Sequence, residues 1–267
     1  RIGMSIGCHA DGWIPTVEDK SSRAPSGMRK SYGQGYHGDY DTAYKTLGKA
    51  IEATGRKFEF IHLDNCYSQN IEVAYDLRNA CKYLIGSITE IGADGLEYNT
   101  NVPLLVTGDY QTVCQNYLAY YQSTDQWPSA TLSAIDCSYM DEMAALMKSI
   151  NTGKTNLVDR SALQVFDGYD ENKTYRFNIF YDFDDYVSSY CADKDLLSQF
   201  NTLLSKMVVA NTFTPSFTSV YFHIQIIDGK PATRKRDIRT CSGITCSDPC
   251  TQLFYQWKET AWYKATH

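Results

Sequence analysis

The chain has 267 residues, 43% of them hydrophobic and 21% charged, with a formal net charge of -6. This balance suits a globular protein able to bury a sizeable core, and it argues against a nucleic-acid partner: the one basic cluster, RKR at 234–236, reads as a solvated loop. No window approaches the roughly 18 consecutive apolar residues of a membrane span, and the opening RIGMSIGCHADGW shows neither an initiator Met nor the zones of a signal peptide.

That opening reads as a chain already inside a strand, so a further upstream segment of the native protein is expected. IGMSIGC is the first predicted strand, KFEFIHL the next and YLIGSIT a third; LVTGD is expected to extend the sheet or to form a short strand beside it. Between the first two lies PTVEDKSSRAPSGMRKSYGQGYHGD, which has no helical or alternating period and is read as a long loop. DTAYKTLGKAIEATG reads as a helix with Asp41 as candidate N-cap and Gly55 as candidate stop. Beyond Cys66, the residues Ile71, Ala74, Tyr75 and Arg78 fall on one helical face, with Val73, Leu77 and Cys81 on an adjacent apolar stripe. Further helices are expected in YQTVCQNYLAYYQ, SYMDEMAALMKSI and KDLLSQFNTLLSKMVVA, and a late strand in TSVYFHIQII. Strands alternating with helices point to an α/β protein with a mainly parallel sheet. Residues 1–166 are assigned to the main domain and 167–267 to a C-terminal part packed on it.

Nine cysteines and five histidines leave many pairings open. Cys241, Cys246 and Cys250 gather in TCSGITCSDPC without zinc-ligand spacing, so disulfides or buried thiols are expected there. Two strands end in residues that can do chemistry: SIGCHADG in His9 and FIHLDNC in Cys66. In an open parallel sheet, residues just past the carboxyl ends of strands share one crevice. There an imidazole could activate a thiol and later protonate a leaving amine, and a helix following Cys66 would favour negative charge. A core role for both residues remains an alternative at this point.

HADGW, DNCYSQNIEVAYDL, ITEIGADGLEYN, SAIDCSYMDEMAAL, FYDFDDYV and CSGITCSDPCTQLFYQWKETAWYKAT, taken in this order, resemble the clostripain family of cysteine peptidases over nearly the whole chain. The resemblance implies a caspase-like sheet flanked by helices, with a C-terminal subdomain. It implies His9 as general acid/base and Cys66 as nucleophile, with the backbone N–H groups of Ala10 and Cys66 as oxyanion hole. Members have Gly where Ala10 stands, and Asp-Ala-Cys where this chain has Asp-Asn-Cys. A backbone needing positive φ would be strained at Ala10.

By the same resemblance Asp64 and Asp94 line the specificity pocket and select Arg or Lys; the residues alone would equally fit a helix cap at 64 and an Asp-Gly turn at 94. Lys20, Arg23, Arg29 and Lys30 are candidate points of self-cleavage, Arg23 and Arg29 foremost. Partners are then peptide substrates with Arg or Lys, and the chain's own cut N-terminal segment. No cofactor is needed for the chemistry; the resemblance allows calcium, with ligands unassigned. A secreted or surface location in a bacterium is implied. The competing reading is a non-catalytic relative that binds basic peptides in the same crevice, and a third is a thiol acyl-transferase.

Overall fold

The short apolar runs become strands laid side by side, and the amphipathic stretches cover both of their faces. In chain order the elements are β1 (Gly3–Gly7), β2 (Tyr32–Gly35), β3 (Gly38–Thr42), α1 (Tyr44–Ala53), β4 (Phe58–Asp64), α2 (Ile71–Leu77), β5 (Cys81–Gly86), α3 (Tyr98–Thr107), α4 (Tyr110–Gln122), β6 (Thr131–Asp136) and α5 (Met140–Thr152). There follow β7 (Phe180–Asp182), α6 (Phe183–Tyr190), α7 (Lys194–Met207), β8 (Val208–Phe213), β9 (Ser216–Phe217), β10 (Ile224–Ile227), β11 (Lys230–Thr233), β12 (Arg236–Asp237), β13 (Thr245–Ser247), α8 (Phe254–Lys258) and α9 (Ala261–Thr266). The computed structural model describes residues 2–14, 32–35, 38–124, 127–153, 158–167, 179–219, 224–227, 230–248 and 253–267.

The main sheet has five strands in the order β1-β4-β5-β6-β8. It is mixed: β1, β4 and β5 run parallel, whereas β6 and β8 join antiparallel. Helices therefore cover the parallel half, as its nearly continuous apolar strands require. One face carries Ile61, Leu63, Leu84 and Ile135 against α1, α2, α5 and α7, and the other carries Phe60, Ile85, Leu132 and Ala134 against α3 and α4. Strand alternation thus assigns His62 and Asp64 to the α3 and α4 face, together with Phe60. The C-terminal third is built into the same core. Its β8 completes the sheet, Phe183, Phe200, Trp257 and Trp262 join Ile61 and Leu63 in one cluster, and β13 pairs with β7.

Four local expectations change. The end of the long loop is a hairpin of β2 and β3, which places Asp41 in a strand; α1 starts after Ala43 with no side-chain cap. LVTGD is the last turn of α3, closed by Gly108 at φ 88, whose N–H reaches the Leu104 carbonyl. MVVA splits, with α7 ending at Met207 and β8 beginning at Val208. The helical segment beyond Cys66 begins only at Ile71. Gly55 does stop α1, at φ +67, its N–H on the Glu52 carbonyl.

Candidate active site

The parallel pairing of β1 with β4 matches Gly7 with Asp64. Two residues farther along each chain come His9 and Cys66, so the register puts them at equivalent places past neighbouring strands, which lie about 4.8 Å apart. His9 is exposed and Cys66 half-buried.

Cys66 sits at the head of a turn that is almost wholly buried: Asn65, Ser68, Gln69 and Asn70 each have 0% exposure. Polar groups so deep must find partners. Ser68 Oγ donates to the Asn65 carbonyl (3.2 Å), Gln69 Nε2 to the Ser133 carbonyl (3.3 Å), and Asn70 Nδ2 to the Tyr67 carbonyl (2.6 Å). Asn70 also caps α2 by accepting the Val73 N–H at 3.0 Å. Tyr67, directly after Cys66, has φ 53, the one non-glycine among the described residues in the left-handed region. That conformation costs about 1–2 kcal/mol. It is held by the Tyr67 N–H on the Thr89 carbonyl (3.0 Å), by the phenol donating to Glu90 Oε1 (3.0 Å), and by stacking on Phe180 at 5.4 Å between centroids. Burial first, then Glu90, pushes the Tyr67 phenol well above its ordinary value, so it remains a donor. The Ile91 N–H points at Cys66 Sγ from 3.5 Å, a donor suited to charge on sulfur. Tyr67–Asn70 separate Cys66 from the start of α2.

The His9 loop is organised differently. Positive φ falls at Gly12 (φ +63), not at Ala10, so alanine at position 10 carries no backbone strain. Gly12 is obligatory: a Cβ there would lie 2.6 Å from Asn70 Nδ2 and 2.7 Å from the Tyr67 carbonyl oxygen. Trp13 then donates from Nε1 to Ser247 Oγ at 2.6 Å, and the Ser247 N–H donates to Glu72 Oε1 at 3.0 Å. Asn65, the departure from Asp-Ala-Cys, ties the strand ends together; it accepts from Tyr44 Oη at 3.2 Å and donates to Cys8 Sγ at 3.6 Å.

Asp64 is buried at the end of β4, and its Oδ2 accepts the Leu96 N–H (3.0 Å) and Tyr98 Oη–H (2.7 Å). Gly95 at φ +62 lets the chain pass against this carboxylate, since a Cβ there would come within 2.5 Å of Oδ2. Asp94, one residue earlier, is exposed and accepts from Tyr120 Oη at 2.9 Å. Burial, then Asp64 and Asp94, push the Tyr121 phenol far above its ordinary range, so both carboxylates act on one ring. Asp64 does not cap α2, whereas Asp94 does stand in the turn expected of an Asp-Gly pair.

Lys20, Arg23, Arg29 and Lys30 lie outside the described residues, as do His37, His223 and Cys250. Cys241 Sγ contacts Asn211 Oδ1 at 3.8 Å, and Cys246 is buried in β13. Among the described residues no three His, Cys, Asp or Glu side chains gather so as to hold a metal ion. No helix among them is long and apolar enough to cross a membrane. Sequence reasoning missed Tyr67, Tyr98, Tyr120 and Glu90; tyrosines at helical spacing read as packing, and only their number, 21, set them apart.

Solved structures resemble this one closely. Iotapain, a secreted cysteine protease from Bacteroides thetaiotaomicron, is 37% identical over 100% of this chain and 72% of its own, with a TM-score of 0.83. A clostripain from the same species, in complex with the peptide inhibitor BTN-VLTK-AOMK, is 37% identical over 88% of this chain and 99% of its own, with a TM-score of 0.75. An inactive zymogen protease from Parabacteroides distasonis is 25% identical over 99% of this chain and 70% of its own, with a TM-score of 0.74. Comparison with curated proteins gave no match. The model described as Clostripain family matches residues 6–223, most of the chain, and with it the protein belongs to the clostripain family of cysteine peptidases, hydrolases of caspase-like fold.

Proposed function

We propose that the protein is an endopeptidase that cuts after Lys or Arg. The observation that supports this reading is the β1–β4 register, which brings the residues two beyond Gly7 and Asp64, His9 and Cys66, to equivalent positions past neighbouring strands, with Asp64 ending the strand that precedes Cys66. Cys66 Sγ attacks the substrate carbonyl carbon as its proton passes to His9, and the backbone N–H groups of Ala10 and Cys66 receive the oxyanion. His9 returns the proton to the departing amine, leaving a thioester on Cys66. It then takes a proton from water as the water oxygen adds to the thioester carbonyl; collapse expels the Cys66 thiolate, which takes that proton back from His9, and releases the acid product.

Asp64 and Asp94 receive the substrate cation, whose charge needs acidic partners in a partly desolvated crevice. The VLTK peptide bound by the clostripain of Bacteroides thetaiotaomicron supports a basic side chain at that place. The segment with Lys20, Arg23, Arg29 and Lys30 offers the enzyme a substrate in its own chain. Secretion is proposed on the example of iotapain.

The test compares the full-length protein with Cys66→Ala on fluorogenic peptides ending in Lys, Arg, Asp or Asn, with and without calcium. Release after Lys and Arg alone, lost by a factor of about 10⁴ or more in the variant, is expected. Activity that survives in Cys66→Ala would refute the assignment.

A further inference from the structure

Each of the two acidic residues is engaged by a tyrosine whose ring is partly open to solvent. Tyr98, 38% exposed, donates from Oη to Asp64 Oδ2 at 2.7 Å, and Tyr120, 37% exposed, donates from Oη to Asp94 Oδ2 at 2.9 Å. The second donor to Asp64, the Leu96 N–H, falls on the same Oδ2. Among the described residues, Oδ1 of both carboxylates is therefore left to an incoming donor.

The Tyr98 side has a further layer. Ser5, matched with His62 in the β1–β4 register, stands 3.1 Å from Tyr98 Oη and 2.9 Å from His62 Nδ1. His62 is fully buried, and its Nε2 has no partner. Burial lowers the His62 pKa and keeps the ring neutral, with Asp64 opposing that shift. A neutral imidazole has one N–H, and a buried donor without an acceptor is rarer in proteins than an acceptor without a donor. The proton therefore belongs on Nδ1. It donates to Ser5 Oγ, Ser5 donates to Tyr98 Oη, and Tyr98 donates to Asp64, so all three donors point toward one carboxylate. Burial also pushes the Tyr98 phenol up to about 12, with Ser5 opposing and Asp64 reinforcing, which keeps the last link protonated.

We infer that Tyr98 and Tyr120 are specificity-determining residues, each fixing one carboxylate by one oxygen and presenting the other oxygen to a cationic side chain, with Ser5 and His62 as positioning residues behind Tyr98. The inference rests on the reading of Asp64 and Asp94 as the cation site. It gives the ring exposure a purpose: partly open aromatic walls beside two carboxylates suit the aliphatic stem of a lysine or arginine as its head reaches the oxygens. Helix α3 starts at Tyr98, and the Glu97 cap, which accepts the Asn99 and Thr100 N–H groups at 3.1 and 2.9 Å, sets the direction in which that tyrosine leaves the helix.

The test uses two peptides with the full-length protein, one with lysine and one with its uncharged isostere norleucine before the scissile bond. The readout is the ratio of their kcat/KM values, which a purely structural role would not move. Tyr98→Phe is expected to lower the ratio about tenfold, mainly through the KM of the lysine peptide, as loss of one hydrogen bond to a charged group should. Tyr120→Phe and Ser5→Ala should lower it less. A ratio unchanged in Tyr98→Phe, or equal losses on both peptides, would overturn the inference. If Tyr98→Phe fails to fold, Tyr120→Phe decides alone on the same criterion. Asp64→Asn serves as the reference: a wild-type protein without lysine preference, unaltered by Asp64→Asn, would remove the acidic-pocket reading itself and the tyrosine assignment with it. A ratio that collapses in Asp64→Asn but not in the tyrosine variants would remove only the latter.

Discussion

The turn that carries Cys66 and the loop that carries His9 lie at equivalent ends of neighbouring strands, yet they are held in different ways. Four residues of the Cys66 turn are fully buried, and their polar groups bond to strands on both sides. The His9 loop is held through, among other contacts, two that reach the Cys66 turn and α2. One is the close pass of Gly12 over Tyr67 and Asn70; the other is the chain Trp13–Ser247–Glu72, which leads back into α2 just behind the Cys66 turn. The contrast matches the two jobs proposed for the site. A nucleophile must be fixed against the substrate carbonyl, whereas the acid/base moves its proton between sulfur, amine and water and needs only to stay within reach of all three.

Gly12→Ala should break that comparison most severely. Alanine at φ +63 is disfavoured by about 1–2 kcal/mol, and its Cβ would overlap the Tyr67 carbonyl, which is backbone and cannot swing aside. Turnover is expected to fall about 100-fold or more with a lower Tm. Normal turnover would show that the loop does not rest on this contact. Trp13→Phe acts on the other attachment. It deletes the N–H that reaches Ser247 Oγ at 2.6 Å and thins a side chain that is 9% exposed, at a cost of about 2–3 kcal/mol. Here kcat should fall about tenfold with little change in KM, because the substrate pocket is untouched. A change confined to KM would place Trp13 in substrate binding instead.

The same contrast explains what could be read in the sequence. β4 and β5 are legible because burial leaves them short runs rich in apolar residues, and α4 is legible over Tyr110–Gln122 because its apolar residues keep a helical period. β8 is not, since α7 runs into it with no glycine or proline between Met207 and Val208. β6 passes unnoticed because TLSAID alternates only weakly. At the site, His9 and Cys66 follow from their places after apolar runs, but Asp64 and Asp94 emerge only through resemblance to a family. Trp13 meeting Ser247 spans 234 positions and leaves no local trace. Tyr98 and Tyr120 sit on helices where tyrosine ordinarily packs, so their bonds to carboxylates appear only in three dimensions.

The smallest expected effect concerns the joint between the two regions. Glu72 has 1% exposure; its Oε1 accepts both the Ser247 N–H and Trp257 Nε1–H at 3.0 Å, and Oε2 has no partner. Burial pushes its carboxyl from 4.5 to about 7, against the pull of those hydrogen bonds. Between these values the folded chain keeps a proton that the unfolded chain has lost. Stability must therefore fall as pH rises through this window, by roughly 2–4 kcal/mol for this group, and below pH 4.5 the group is neutral in both states. Asp167, raised by burial to about 8, adds a slope of the same sign. Glu72→Gln leaves an amide oxygen for Ser247 and Trp257 but puts an unsatisfied N–H₂ where Oε2 stood, a cost of about 1–3 kcal/mol at every pH. The variant should thus be less stable than wild type at pH 5 and nearly equal to it at pH 8, a flattened slope that denaturant titrations at both values would measure. Parallel slopes would mean that Glu72 is already ionised at pH 5, and that the Trp13–Ser247–Glu72 chain ends in a charge. In that case the His9 loop would be tied to α2 by a charge-assisted bond, stronger than a neutral one.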